Sequence, residues 1–427
     1  MIRQSLTLGW LAVCNSVLAV LMPWYVVTRL GVGVETDAFF AAGALPQLIF
    51  VVVSTPLAHV LVPLLATEDE KTFRRDAWGF FLGIGGLFTL LGALFFVTAD
   101  YWVPWLVPGF SEEGKRLAVS LTRVQTVSMV LVVMVVALWS VHHARQKFFW
   151  AELSPVLANA ASFGFLVWAL PRYGVAAAAW AVVLQNGLKA VMLLPILGRW
   201  QRPDWGSRLF RESWRRVRPF LFGQTYYRTD PLIDRYLTSM TAAGSLSVFY
   251  IAQQVYSAIH QVTNKAISSP MVSLLAVRAK AGEWDTFRRI YRERLLWMTA
   301  LTGAMCVGLM TLGEPVLHFM IGRGGITAEN SQTLWWTMVA LAGVLVGGAV
   351  GQVTGGAFYA TGDTKTPTKL FVLTYTVYVP LKVIVFRRYG LTGLAFAASA
   401  YFMLNLALQL IVLERNWLAR REWSAAT

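Results

Sequence analysis

The sequence predicts an all-α, polytopic membrane protein of about twelve transmembrane helices, arranged as two six-helix lobes. Three observations carry this. Hydrophobic residues make up 56% of the 427 residues and charged residues 14%, too few charges to cover a soluble surface. Apolar stretches of roughly 20 residues, the length that crosses a bilayer, recur along the chain. Landmarks of the first half reappear in the second at a nearly constant offset. Strand-period alternation is absent, which excludes a β-barrel. The composition also excludes a soluble enzyme, a disordered chain and a disulfide-rich secreted domain. Cys14 and Cys306 lie in apolar runs and read as small buried hydrophobes, with no disulfide and no metal implied.

Taken in order, the spans are expected at residues 6–28, 38–66, 77–98, 118–141, 149–170, 174–197, 219–241, 246–276, 294–320, 333–360, 368–387 and 391–413. The first is long for a signal-peptide core and has no small-residue cleavage site, so a retained span is expected. The second and eighth exceed the bilayer, which predicts tilt or a cytoplasmic extension. Sorting the 37 Lys and Arg by loop places 24 on the side of both termini, 7 on the other side and 6 within or near spans. The positive-inside rule therefore expects both termini in the cytoplasm. The net charge of +15 is largely this topology signal, and nucleic acid is not expected as a partner.

The repeat divides the chain. Asp37-Ala-Phe-Phe-Ala-Ala aligns with Ser247-Val-Phe-Tyr-Ile-Ala at an offset of 210, and Arg172-Tyr-Gly174 with Arg388-Tyr-Gly390 at 216. Six spans per half make the repeats parallel, related by an axis along the membrane normal. The expected domains are an N-terminal lobe (1–198), a basic amphipathic cytoplasmic linker (199–218) and a C-terminal lobe (219–427). The linker holds seven Arg against Asp204 and Glu212, interleaved with Trp200, Trp205, Leu209, Phe210 and Trp214. Such a segment suits a helix lying on the anionic inner leaflet. A plain topology-anchoring connector fits equally.

Charge at membrane depth is costly and faces a cavity or a partner. Span seven carries Arg228, Asp230, Asp234 and Arg235. At 100° per residue the two Arg share one face and the two Asp another, with a kink expected at Pro231. Mutual ion pairing within the lobe and a cavity-facing Arg are both open. Span eight has a polar stripe of Gln253, Ser257, His260, Asn264 and Ser268, broadened by Gln254, Gln261 and Lys265, which either lines water or seals a helix contact. His260 has no second ligand at metal spacing. Arg123, Lys189 and Lys382 are expected to snorkel to an interface or to reach a cavity. Asn159 reads as a packing residue. No phosphate-binding loop, metal cluster or nucleophile motif is present, so neither an ATP-driven pump nor an enzyme is expected. A carrier whose cargo bears phosphate suits a basic cavity, because Arg binds phosphate in bidentate fashion.

Four segments carry a family resemblance. Gly33-Val-Glu-Thr-Asp37-Ala-Phe-Phe-Ala-Ala-Gly-Ala-Leu-Pro46, Asp234-Arg235-Tyr-Leu-Thr-Ser with Ala243-Gly244-Ser-Leu-Ser, Gly322-Arg-Gly-Gly-Ile-Thr-Ala-Glu329, and Phe358-Tyr-Ala-Thr-Gly-Asp363-Thr-Lys-Thr-Pro367 resemble, in order, parts of the MurJ/MviN family of lipid II flippases. That family belongs to the MOP flippase superfamily, with multidrug exporters of the MATE type. The resemblance implies a V-shaped carrier that flips an undecaprenyl-pyrophosphate-linked saccharide from the inner to the outer leaflet by alternating access, without ATP. It also implies charged residues that are missing here: an Arg pair near Ser16 and Met22, basic residues near Phe50 and Val51, an acidic residue near Thr55 and an Arg where Gln254 stands. A relative handling another lipid-linked saccharide is therefore in play. The candidate substrate-contacting set is Asp37, Arg123, Arg228, Asp230, Asp234, Arg235, Gln253, Gln254, Ser257, His260, Asn264, Lys265 and Lys382. Expected partners are the lipid-linked glycan, anionic inner-leaflet lipids and envelope-synthesis proteins. No cofactor is called for beyond a coupling ion, H+ or Na+. The alternatives are an ion-coupled exporter of amphipathic molecules, with Asp230 and Asp234 as its carboxylates, and a non-transporting scaffold of envelope assembly.

Overall fold

The computed structural model describes residues 2–321 and 327–425, and among them no strand occurs. The helices are α1 (Ile2–Leu30), α2 (Val34–Ala42), α3 (Ala44–Ala66), α4 (Glu70–Val97), α5 (Ala99–Leu106), α6 (Glu112–Ala144), α7 (Phe148–Tyr173) and α8 (Val175–Leu193). They continue as α9 (Arg208–Arg228), α10 (Asp230–Ser239), α11 (Ser245–Thr263), α12 (Ser269–Lys280), α13 (Trp284–Ile321), α14 (Ala328–Ala340), α15 (Ala342–Ala360) and α16 (Lys365–Ala425). Nine stretches among the described residues are long and apolar enough to cross a membrane. The last of them, within α16, is two helices meeting at Gly390. Expected spans seven and eight correspond to α9–α10 and α11–α12, which lie outside that set.

Helix breaks take up the length of the over-long spans. Span two divides at Gly43 into α2 and α3. Span eight carries a π-helical turn at Asn264–Ser268, just ahead of Pro270 in the first turn of α12. In span seven the interruption is at Thr229, so Pro231 opens α10 rather than kinking a continuous helix. A proline in a first turn costs no hydrogen bond.

The chain forms two compact units, Met1–Ser247 and Val248–Thr427. In the first unit a core of Leu61, Leu65, Phe73, Phe80 and Leu138 joins α3, α4 and α6. Leu209 of α9 belongs to the same core, and Phe210 stacks on Phe80 with ring centroids 4.3 Å apart. The linker thus docks its apolar residues on α4 while Trp200, Trp205 and Trp214 stay exposed. Loops alternate between the two ends of this unit. At one end Arg145 reaches Glu70 (2.9 Å) and Trp78 donates to the Arg199 carbonyl (3.3 Å). Asp69 caps α4 there, and hydrogen bonds from Thr72 and Lys71 hold its carboxyl below the ordinary carboxylate range. At the other end Gly109 lies against the main chain of Ser239 and Met240, and Gly244 against Val32.

In the second unit Phe287, Tyr291, Val353, Phe358 and Leu413 are core residues. Helices α15 and α16 approach closely through glycine: a Cβ on Gly347 would lie 2.7 Å from the Phe402 carbonyl carbon. The repeat is visible in the backbone. Gly174 (φ 57°, ψ −149°) and Gly390 (φ 57°, ψ −139°) have the same left-handed conformation at matching places in their halves. Cys14 and Cys306 are half-buried rather than buried.

Replacing Gly347 with Val should destabilise the second unit by about 1–3 kcal/mol through overpacking. Gly351→Val, where nothing lies within 4 Å of a Cβ, should change thermal stability little. Thermal unfolding of the purified variants is the measurement.

Candidate functional site

The break at Gly43 exposes main-chain carbonyls at the end of α2, and lipid offers them no donor. Side chains from two other helices supply it. Gln125 of α6 donates to the Phe39 carbonyl (3.1 Å), adding to the hydrogen bond from Gly43 N (3.3 Å). Arg235 of α10 donates to the Phe40 carbonyl (3.1 Å), to Pro231 O in its own helix (3.0 Å) and to Gln47 Oε1 of α3 (2.7 Å). Arg235 is 4% exposed, so its guanidinium is committed to the protein in this conformation.

The converse problem arises where α11 begins. Its first amides need acceptors, and Asp37 provides them from α2. Asp37 Oδ2 accepts from Gly244 N (2.6 Å), and Oδ1 accepts from Ser247 N (2.8 Å) and Ser247 Oγ (2.5 Å). The carboxylate is buried and complements the positive end of the helix dipole. Gly244 has φ +94°, and a Cβ there would meet Val32 at 2.3 Å, so this approach requires glycine. Thr36 secures the start of α2 by accepting from Gly33 N and donating to Gly31 O.

The other candidates are distributed along both units. Arg228 ends α9 and Asp230 starts α10, both half-buried; Asp234 is buried, and all three have partners. Because the helix breaks between them, Arg228 and Arg235 do not lie on one continuous helical face. Arg123 sits at the loop end of α6, where it pairs with Asp100 (2.5 Å) and reaches the Phe96 carbonyl (3.4 Å) beside a surface depression of about 400 Å³.

In the second unit Gln253, Gln254, Ser257 and His260 are half-buried and Asn264 is exposed. Gln253, Ser257 and His260 border the buried face of α11 that Ala252, Tyr256 and Thr263 define. His260 donates from Nε2 to the Leu345 carbonyl (3.1 Å), and its ring occupies the space a Cβ on Gly348 would fill. The last two residues of the stripe fall in the π-helical turn, off the regular face. The Lys265 side chain lies outside the described residues, as do Gly322–Ile326 of the third resembling segment.

Lys382 does not snorkel. It is 0% exposed, with its ammonium 4.9 Å from the centroid of Tyr378, next to Tyr375 and Tyr401. Among the described residues no group of three or more His, Cys, Asp or Glu is placed to hold a metal ion.

One polar network escaped the sequence reading. Gln185 of α8 donates to Asn159 Oδ1 of α7, and Asn159 donates to Asn15 Oδ1 of α1 (2.8 Å). Three amides in otherwise apolar spans were its only signal. At the positions where the family resemblance implied an Arg pair, Ser16 and Met22 are buried in packing.

A polytopic helical carrier with internally repeated halves is the class that this fold and these buried polar groups define. The chain matches the family model described as "Lipid II flippase MurJ" over residues 26–425, and it belongs to that family. Similar curated proteins include the probable lipid II flippase MurJ of Vibrio cholerae, 23% identical over 96% of this chain and 82% of that protein. The probable lipid II flippase MurJ of Rhizobium tropici is 24% identical over 100% and 83%. Among solved structures, a lipid II flippase MurJ in an inward closed conformation matches with a TM-score of 0.82 at 17% identity, over 96% of this chain and 87% of that one. An inward-facing multidrug resistance MATE family transporter of the MOP superfamily matches at 0.76 and 15% identity, over 97% and 95%.

Replacing Asp37 with Ala leaves two buried amides and a hydroxyl without their acceptor. Amide hydrogen exchange at Gly244–Ser247 should accelerate at least about tenfold, with a smaller effect for Ser247→Ala. Arg235→Ala should lower thermal stability by about 1–3 kcal/mol, because the Phe40 carbonyl loses a donor. An unchanged unfolding temperature would count against this anchoring role.

Proposed function

We propose that the protein moves an undecaprenyl-pyrophosphate-linked saccharide, lipid II or a related envelope glycan precursor, from the inner to the outer leaflet of the bacterial cytoplasmic membrane. It does so by alternating access, with lobes at 1–198 and 219–427 joined by the basic linker, and it makes or breaks no covalent bond. Membership of the flippase family supports the cargo class. The observation that carries the mechanism is the Asp37 latch. One carboxylate ties the loop end of α2 to the start of α11 with three hydrogen bonds, beside the close contact of Gly244 with Val32. A few hydrogen bonds to one charged group are strong enough to hold and light enough to open, since the net worth of each bond is about 1.5–3 kcal/mol. The latched end is the outer one in this reading, and both termini are cytoplasmic. That assignment is supported by the basic loops Lys71–Arg75, Arg145–Lys147 and Arg199–Arg218 at the opposite end. These loops suit the anionic inner leaflet, and envelope-synthesis proteins are the natural suppliers of cargo.

Depletion of the protein in cells should make one lipid-linked saccharide accumulate in the inner leaflet, identified by mass spectrometry of extracted lipids. In proteoliposomes the purified protein should translocate that lipid, and Asp37→Ala should slow translocation at least about tenfold if latch formation belongs to the cycle. Drug hypersensitivity without accumulation of any lipid-linked intermediate would instead identify an exporter.

A further inference from the structure

The short helix α5 and the first turns of α6 enclose the depression beside Arg123. Asp100 lines it from α5, and Glu112, Lys115, Arg116, Ser120 and Arg123 line it from α6. The α6 residues recur at intervals of three and four or lie beside one another, so one face of that helix supplies them all. Two ion pairs hold this lining together, Arg123 with Asp100 (2.5 Å) and Lys115 with Glu112 (2.9 Å). Arg116 is exposed and stands outside both pairs. The Asp100 and Glu112 carboxylates are themselves largely exposed, and one oxygen of each lies outside these pairs. The depression, of about 400 Å³, thus offers a cation and a hydroxyl to an anion and carboxylate oxygens to an ammonium.

Farther along α6 the same face turns apolar. Beyond Arg116, Ser120 and Arg123 the next exposed residue is Val127 (42% exposed). Beside it runs α4, which packs chiefly on α6 and exposes Leu90 (73%), Ala93, Phe96 and Val97 (70%). Phe96 joins the two levels, because Arg123 lies over its ring, 5.7 Å from the centroid, and donates to its carbonyl. Tyr101 and Trp105, one turn apart on α5, are 77% and 80% exposed. Such aromatic side chains sit at the level of lipid headgroups. A zwitterionic recess at that level, continued by an apolar strip at acyl-chain depth, has the polarity profile of a single phospholipid.

We propose that this groove between α4, α5 and α6 binds a phospholipid with a primary-amine headgroup, of the phosphatidylethanolamine type, in the leaflet at the latched end. The phosphate meets Arg116, Ser120 and Arg123, and the ammonium meets the outward carboxylate oxygens of Asp100 and Glu112. Contacts in which both partners are charged are stronger than neutral ones. One acyl chain lies along Val127 and the exposed Ala93–Val97 surface. A glycerol headgroup brings no positive charge to the two carboxylates, and a quaternary ammonium has no N–H to donate to them. Arg123 accordingly serves a lipid site on the periphery of the first unit rather than the cargo.

The test uses the full-length protein in phosphatidylcholine nanodiscs holding trace phosphatidylethanolamine with a photoreactive diazirine on one acyl chain. Crosslinks are mapped by mass spectrometry of the digested protein. Label should concentrate on Ala93–Val97 and Val127, and unlabelled phosphatidylethanolamine should displace it at least about tenfold more effectively than phosphatidylglycerol. Arg116→Gln should reduce label there at least about threefold, and Arg116→Lys should keep most of it. Asp100→Asn combined with Glu112→Gln should erase the advantage over phosphatidylglycerol. Label spread evenly to other exposed positions of the unit, such as Trp168 and Trp180, would overturn the site, as would label unchanged by Arg116→Gln. Equal displacement by the two unlabelled lipids from wild type would overturn the amine preference and the proposal with it. The wild-type competition needs no variant to fold, and since transport is not read, a failed site leaves the flippase reading standing.

Discussion

Lipid donates and accepts no hydrogen bonds, so every interruption of a spanning helix must be answered by protein. In the first unit this constraint decides where charged residues go. At the break at Gly43, Arg235 donates to the Phe40 carbonyl and Gln125 adds a second donor to the Phe39 carbonyl. The start of α11 frees amides, and Asp37 covers them. A donor-rich cation thus serves a helix C-terminus and a carboxylate serves a helix N-terminus, each matching the local end of the dipole. Most of the cost of burying these two charges is offset by hydrogen bonds that the main chain needed in any case.

That arrangement explains how the sequence was legible and where it was not. Spans are long apolar runs with basic flanks, and α1, α4, α6, α7 and α8 lie where hydropathy puts them. Breaks are less visible. Gly43 is one small residue among Ala and Leu, and the π-helical turn at Asn264–Ser268 has no sequence signature beyond Pro270 two residues on. Asp37 and Arg235 stood out as charges at membrane depth, but their hydrogen-bond partners lie about 200 residues away in the chain. Only the folded chain pairs a carboxylate with a distant helix start. For Lys189 the missing information was rotation: a lysine in a span is the same letter whether it faces lipid or protein, and Trp180 and Val191 fix its azimuth only once the exposed side is known.

The two halves keep their shared geometry and differ in chemistry. Gly174 and Gly390 hold the same left-handed backbone at the fifth-to-sixth and eleventh-to-twelfth span turns. Around them the first half carries the Asn15–Asn159–Gln185 ladder, while the second encloses Lys382 among tyrosines and ties Thr374, Asn405 and Gln409 together. Backbone conformation is imposed by the turn itself, whereas the polar interior is free to diverge once each half has its own apolar core.

The Asp37 contacts also set a schedule for biogenesis. Its acceptor atoms meet Gly244 N across 207 residues. At synthesis rates of about 5–20 residues per second, that carboxylate enters the membrane roughly 10–40 s before its partners exist. During that interval α2 carries an unsatisfied charge, and the Phe40 carbonyl waits almost as long for Arg235. Until α11 emerges, water or the insertion machinery has to serve the Asp37 carboxyl in place of the Gly244 and Ser247 amides. A chain that ends between residues 200 and 234 would hold α2 without the hydrogen bonds of Arg235, Gly244 and Ser247.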